Sequence, residues 1–293
     1  MTDQAWQNQN CLNCNAPLEG EFCHHCGQHH RVYIRSIFAV LGDLMGEIGH
    51  WDSRFYRTLR GLFLKPGFLT LEFMRGRHAS YVPPLRLYFF ISLFAFIVFS
   101  SFIEIGFTPE TMKAADPNNQ IQIEEMQVDF PFLDVEQQNA LKERIKYLTA
   151  NPDIFAQRLT QLAPQMMLLM LPFWALFLKL LYIYRSHYYL EHLTLALHTH
   201  AFILLSLLGI TLVTELFDYL AVISSIAWLG DLGSWFDTGL FLWIFVYLLL
   251  TQKNFYQQSW PVTILNFILC VFAYLMLLLT AFVGTILYSL LTA

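Results

Sequence analysis

Residues 260–293 read WPVTILNFILCVFAYLMLLLTAFVGTILYSLLTA, a run that begins at Trp260 and meets no charged residue as far as Ala293. An apolar stretch of roughly 20 residues or more crosses a bilayer as a helix, because a helix satisfies its own backbone where no water is present. Four further apolar runs precede it: about Leu85 to Ile105, Pro164 to Tyr184, Leu193 to Thr214, and a short one from Thr238 to Thr251. The short run, with Trp228 to Phe236 before it, predicts an interfacial or re-entrant piece at that point. Composition agrees with a membrane protein. The 293 residues are 56% hydrophobic and 13% charged, whereas a soluble domain carries about 25% charge. Aromatic residues make up 16% of the chain, and Trp and Tyr favour membrane interfaces. The first 30 residues are polar and hold no signal-peptide core, so the first apolar span is expected to serve as the insertion signal.

Lys and Arg set the expected orientation. Nine lie between residues 31 and 86, against four acids. The segment 107–163 holds five, against nine acids. Arg185 follows the second span and Lys253 the fourth, while Glu215, Asp218, Asp231 and Asp237 follow the third without a base. The N-terminus is therefore expected in the cytoplasm and the C-terminus in the periplasm or outside, as in a bacterial inner (plasma) membrane protein. The predicted fold is an all-α integral membrane helical bundle of about five spans with a small N-terminal four-cysteine zinc ribbon. Its expected domains are a zinc-ribbon knuckle at 1–30, basic amphipathic cytoplasmic helices at 31–84, and a transmembrane bundle at 85–293 with an outer helical insert at 107–163.

Within 31–84, Ile34, Ile37, Leu41, Leu44 and Ile48 recur at helical spacing, and Trp51, Phe55, Leu59 and Leu62 make a second stripe. Arg57 and Arg60 fall opposite that stripe and Arg54 on its flank. Pro66-Gly67 breaks the helix, and Gly76-Arg77, Tyr81 and Pro83-Pro84 mark an irregular approach to the first span. These helices either lie on an anionic inner leaflet or cap the bundle, and the two are compatible. In the insert, Val135 to Leu162 reads as helix, with Leu141, Ile145 and Leu148 on one face and Pro152 as an interruption. No internal repeat is visible, so an inverted-repeat transporter is not supported.

Four of the five cysteines form two pairs, Cys11-x2-Cys14 and Cys23-x2-Cys26, with Gly27 directly after. That spacing predicts one tetrahedral site of four thiolates, holding structural zinc in a reducing compartment. A segment this short cannot bury enough core to fold alone, so the metal is expected to supply the folding energy. His24, His25, His29 and His30 surround the second pair, and read as solvated residues beside a site that four thiolates already close. Residues 1–30 carry no Lys or Arg, so a nucleic acid is not expected as partner.

The chemically densest segment runs from His187 to Phe202. On a helical wheel centred on Glu191, His187, Thr194 and His198 share one polar stripe, His192 stands about 80–100° away and His200 lies opposite. Glu191 and His198 are separated by about 10 Å of rise and cannot share one ion from a regular helix. The stripe therefore reads as a hydrogen-bonded structural network, a proton or ion pathway, or, with ligands from other spans, a metal site.

Four blocks carry a family resemblance. They are the cysteine knuckle; Lys65-Pro66-Gly67 through Gly76-Arg77, Tyr81, Pro83-Pro84, Arg86 and Tyr88; Pro164 through Leu171-Pro172-Phe173, Ala175, Leu178-Lys179-Leu180 and Tyr182; and Tyr189-x-Glu191-His192-x5-His198-x-His200-Ala201-Phe202. On these the chain resembles an uncharacterised bacterial domain-of-unknown-function family of multi-pass membrane proteins with an N-terminal zinc ribbon. The resemblance implies membrane location and a zinc ribbon, and no activity. Three functional readings follow. One is a non-catalytic protein that anchors, assembles or docks a cytoplasmic partner through the ribbon. The second is a proton-coupled transporter or channel using the Glu191/His198 stripe. The third is a lipid-acting membrane enzyme whose Arg75, Arg77 and Arg86 would meet a phosphate head. No DxxD pair, HExxH or Ser-His-Asp order is present to name a reaction.

Overall fold

The computed structural model describes residues 9–30, 53–106, 138, 139, 143, 152–224, 226 and 228–292. The stripe from Ile34 to Trp51 and most of the 107–163 insert, including Leu141, Ile145 and Leu148, lie outside the described residues. Among the described residues, seven named helices follow a knuckle at 9–30: α1 (Ser53–Leu64), α2 (Phe68–Met74), α3 (Pro84–Gly106), α4 (Pro152–Leu181), α5 (Tyr189–Ser224), α6 (Trp228–Tyr256) and α7 (Trp260–Thr292). Five of them contain stretches long and apolar enough to cross a membrane: Pro84–Ser101, Pro164–Leu181, Tyr189–Ser224, Gly230–Tyr256 and Trp260–Leu287. No strand is named among the described residues; the knuckle has two isolated bridges, Asn10 to Pro17 and Phe22 to His29.

One of the expected boundaries is corrected. The fourth span is not a short piece behind a re-entrant segment, because Trp228 to Tyr256 is one continuous helix. Pro152, expected to interrupt the helical stretch of the insert, begins α4. Proline suits a helix start, since its missing N–H would have no partner there anyway.

The described chain divides into two compact units, Met1–Ile91 with Ala175–Ile268, and Ser92–Trp174 with Leu269–Ala293. The first unit is centred on α5. His192, Thr194 to His198, His200 to Phe202, Leu204, Ser206 and Leu208 are buried, and they occupy every side of the helix rather than one stripe. Its most extensive partner is α6, and the short α2 packs against both. Two left-handed glycines hold α2 in place: Gly67 (φ 75°) enters it and Gly76 (φ 83°) leaves it. A Cβ at Gly67 would stand 3.3 Å from the Thr251 carbonyl oxygen, so the break expected at Pro66-Gly67 is also a close approach to α6. In α1, Leu62 of the stripe is buried, Phe55 and Leu59 are partly buried, and Arg57 and Arg60 are exposed as expected; Thr58, off the stripe, is buried as well. Leu69, Thr70 and Glu72 of α2 are also buried.

In the second unit, Trp174 meets Tyr274 edge to face at 5.1 Å, and Cys270 is buried. Phe272, Leu275, Leu279 and Phe282 of α7 are exposed. Such an apolar surface is unusual in water and normal against lipid.

Candidate functional site

The knuckle is built from one pattern used twice. Each feature of the second half lies twelve residues on from its counterpart: Cys11 to Cys23, Cys14 to Cys26, Asn15 to Gly27. The bridges repeat with the same offset (10 to 22, 17 to 29). So do the backbone bonds, Cys11 N–H to Ala16 O at 2.8 Å and Cys23 N–H to Gln28 O at 2.9 Å. After each pair the chain turns through the left-handed region, at Asn15 (φ 62°) and Gly27 (φ 71°). Gly and Asn are the residues that tolerate this conformation best. The sequence carried this repeat, but dissimilar residues between the cysteines concealed it.

The two turns bring four sulfurs together, all within 4.8 Å of one another. Cys11 Sγ stands 3.6 Å from Cys26 Sγ, and Cys14 Sγ 3.5 Å from Cys23 Sγ. All four are free thiols. A tetrahedral site with metal–sulfur bonds of about 2.3 Å would hold its sulfurs about 3.8 Å apart, so the donor set fits a metal ion. The backbone already favours the first thiolate: the Cys26 amide, with that of His25, lowers Cys23 to about 6 against the desolvation of its site. At Cys14 the Ala16 amide works the same way, but burial and the three neighbouring sulfurs prevail and push it up to about 12. Burial likewise raises Cys11, although amides of Cys14 and Asn13 oppose it. Cys11 and Cys14 thus hold their protons until a cation offsets the mutual repulsion of thiolates. The histidines stay outside the sulfur cluster. His24 and His25 are exposed, and His29 packs on Phe22 at 4.5 Å with Glu21 3.7 Å from its Nε2.

The knuckle is not a free appendage. Gln28 Nε2 donates to the Gly76 carbonyl at 2.8 Å, and Gln28 Oε1 accepts from the amides of His78 and Ala79 at 3.1 and 3.0 Å. Ser80 Oγ donates to Asn13 Oδ1 at 2.8 Å. Leu12 lies so close to Gly76 that a Cβ there would meet its Cδ1 at 2.7 Å.

The polar stripe resolves into separate contacts. His187, in the turn before α5, bonds Glu191 through Nδ1 and Oε2 at 2.6 Å, and both side chains are about a quarter exposed (27% and 24%). Lys179 donates to the His187 carbonyl at 2.6 Å. Deeper, buried His198 bonds Thr70 of α2 at 2.9 Å. Thr194, between them, is buried. Sequence reasoning missed the residues off the stripe. His192 is fully buried and bonds the Tyr256 hydroxyl at 2.7 Å, and Tyr182 stacks on Tyr256 with centroids 3.4 Å apart. His200 donates from Nδ1 to the Ala196 carbonyl at 2.8 Å. Glu72 was missed as well. It is 2% exposed, and its two oxygens accept from Arg75 at 2.8 Å and Arg77 at 2.7 Å. The signal for it was present: Glu72 is the one acid between residues 53 and 86, and a lone buried carboxylate in a basic segment needs a partner.

A family described as "Protein of unknown function (DUF3667)" matches residues 52–96. The match covers the second of the four resembling blocks and fits an uncharacterised domain family. Comparison with curated proteins and with solved structures finds no match in either. The class is defined nonetheless. The chain is a multi-pass, all-helical membrane protein with a cluster of four cysteines that can hold a metal ion.

Proposed function

We propose that the protein is a non-catalytic inner-membrane protein whose cytoplasmic ribbon carries one structural zinc and serves anchoring, assembly or partner docking. The observation that carries this reading is the sulfur cluster. Four thiolates complete a tetrahedral shell and leave no open position for a substrate or an activated water. When bound, the ion supplies folding energy to a knuckle whose buried core is only Cys11, Leu18 and Cys23. The polar groups of α5 support the same reading. His198 meets Thr70 and His192 meets Tyr256, and each bond ties α5 to another element. Glu191 bonds His187 and not His198, which favours separate structural contacts over a continuous proton relay. Arg75 and Arg77 already engage Glu72.

The test is metal analysis of reduced, purified full-length protein. One zinc per chain is expected. Cys14→Ser should lose the ion and disorder the knuckle while the helices remain membrane-inserted. Iron in its place would change the identity of the metal. A stoichiometry near zero would overturn the metal site.

A further inference from the structure

We infer that the knuckle is a metal-dependent latch on the segment 76–80, so that its metal occupancy is transmitted to the entrance of the first span. The inference rests on the reading of the four cysteines as a metal site and goes beyond it, since a structural zinc need not report to anything.

The argument starts from where the latch residues sit. Asn13 lies between two ligands, Cys11 and Cys14, and Gln28 lies two residues after Cys26. Gln28 is also tied to the cluster by its backbone, because its carbonyl accepts the Cys23 amide at 2.9 Å. Its side chain meanwhile holds three backbone groups of 76–79. One residue thus joins the ligand turn to the loop. A glutamine that satisfies one carbonyl and two amides replaces the loop's own missing backbone partners. Gly76 completes the fit. Its left-handed φ of 83° turns the chain, and its lack of a Cβ lets Leu12 close over it.

These contacts need the knuckle folded. With three buried core residues, it holds its shape through the metal and unfolds without it. Loss of metal therefore withdraws Gln28, Asn13 and Leu12 together. What is released lies at a junction. Arg77 donates through its backbone to Glu72 O at 3.1 Å and through its side chain to Glu72 Oε2 at 2.7 Å. Val82 N–H donates to the buried Thr58 hydroxyl at 3.0 Å, and α3 starts at Pro84. The same segment thus joins the knuckle, α1, α2 and the first span.

Linkage makes the coupling reciprocal. If metal stabilises the docked loop, the docked loop must raise the affinity for metal. This gives a test from a residue outside the knuckle. Ser80→Ala in the full-length protein removes one bond to Asn13 and touches no ligand. It should weaken zinc binding about threefold to tenfold in competition with a chromophoric chelator, the equivalent of one hydrogen bond. In the wild-type protein, chelation should speed amide hydrogen exchange at His78 and Ala79 about tenfold or more. Gln28→Ala should do so with zinc still bound. Zinc present at full stoichiometry with exchange at 78–79 unchanged by chelation would overturn the latch alone, as would unchanged zinc affinity in Ser80→Ala. Absence of bound metal from every reduced preparation would overturn the metal reading and the latch with it.

Discussion

His198 and Thr70 stand 128 positions apart in the chain and 2.9 Å apart in space. The helical wheel could rank His198 as inward-facing, but it could not supply a partner from another element. It also ranked His192 and His200 as off the stripe. A wheel separates faces only when one face meets solvent or lipid, and the buried residues of α5 between His192 and Leu208 occupy every side of the helix, so position on the wheel lost its meaning there. The bond's worth follows from burial. His198→Leu leaves Thr70, 1% exposed, without that partner and should cost about 1–3 kcal/mol. Thermal unfolding in detergent should register the loss, and Thr70→Ala with His198→Leu should cost less than the sum of the two. Glu191→Gln, at the partly exposed end, should shift the midpoint little. Equal midpoints for His198→Leu and wild type would show that the bond is incidental. His78 carries a pH dependence of its own. Burial lowers it from 6.5 to about 4, with the Phe73 ring edge-on at 4.4 Å. The unfolded chain then binds the extra proton first. His78 contributes its full stability above pH 6.5 and loses it progressively as the pH falls from 6.5 toward about 4. His78→Phe should flatten this part of the profile. Both profiles are measured at saturating zinc to keep metal loss out of the difference, and identical profiles would refute the assignment.

At the scale of elements, four spans were legible because apolar runs of the right length are hard to disguise. The fourth was misjudged for a physical reason. Gly230, Asp231, Gly233, Asp237 and Gly239 are poor helix formers by intrinsic propensity, yet α6 runs through all of them. Two of these residues pack α6 against α5. A Cβ at Gly233 would stand 3.0 Å from Phe217 Cβ, and Asp237 Oδ2 accepts from Thr214 at 2.7 Å. Small residues that let two backbones approach are a device of membrane helices, and a propensity scale counts them only as weakness. The two glycines should respond in opposite directions to the same change. Gly233→Ala must displace a Cβ that cannot swing aside, and should cost about 1–3 kcal/mol. Gly239→Ala meets nothing within 4 Å and should be neutral or stabilising by up to about 1 kcal/mol. Unfolding midpoints in detergent decide it, and a tolerated Gly233→Ala would show that α5 and α6 are not held at this close approach.

For the whole molecule, membrane orientation rests on charge, and the contacts of the first unit add a geometric condition. With five crossings, the segments before α3, between α4 and α5, and between α6 and α7 must share one side. They are joined to one another. Asn254 donates to the Pro66 carbonyl at 2.9 Å, Tyr182 to Gln252 at 3.4 Å, and Thr70 meets His198 early in α5. That shared side carries Arg54, Arg57, Arg60, Lys65, Arg75, Arg77, Arg185 and Lys253, with Glu72 as the one acid between residues 53 and 86. The proposed orientation puts this side, with its excess of basic residues, in the cytoplasm, the reducing compartment that suits a four-thiolate site. A reporter fused at Ser186 should therefore read as cytoplasmic and one fused after Ala293 as periplasmic. The sensitive point is the pair α5 and α6. The 36 residues of α5 span about 54 Å at 1.5 Å each, well beyond a hydrocarbon core of roughly 30 Å. In the proposed orientation its acidic end, with Glu215 and Asp218, extends past the membrane on the outer side, where negative charge is tolerated. A cytoplasmic reading after Ala293 together with one at Ser186 would mean that Leu216 to Thr251 does not return across the bilayer as α6 requires.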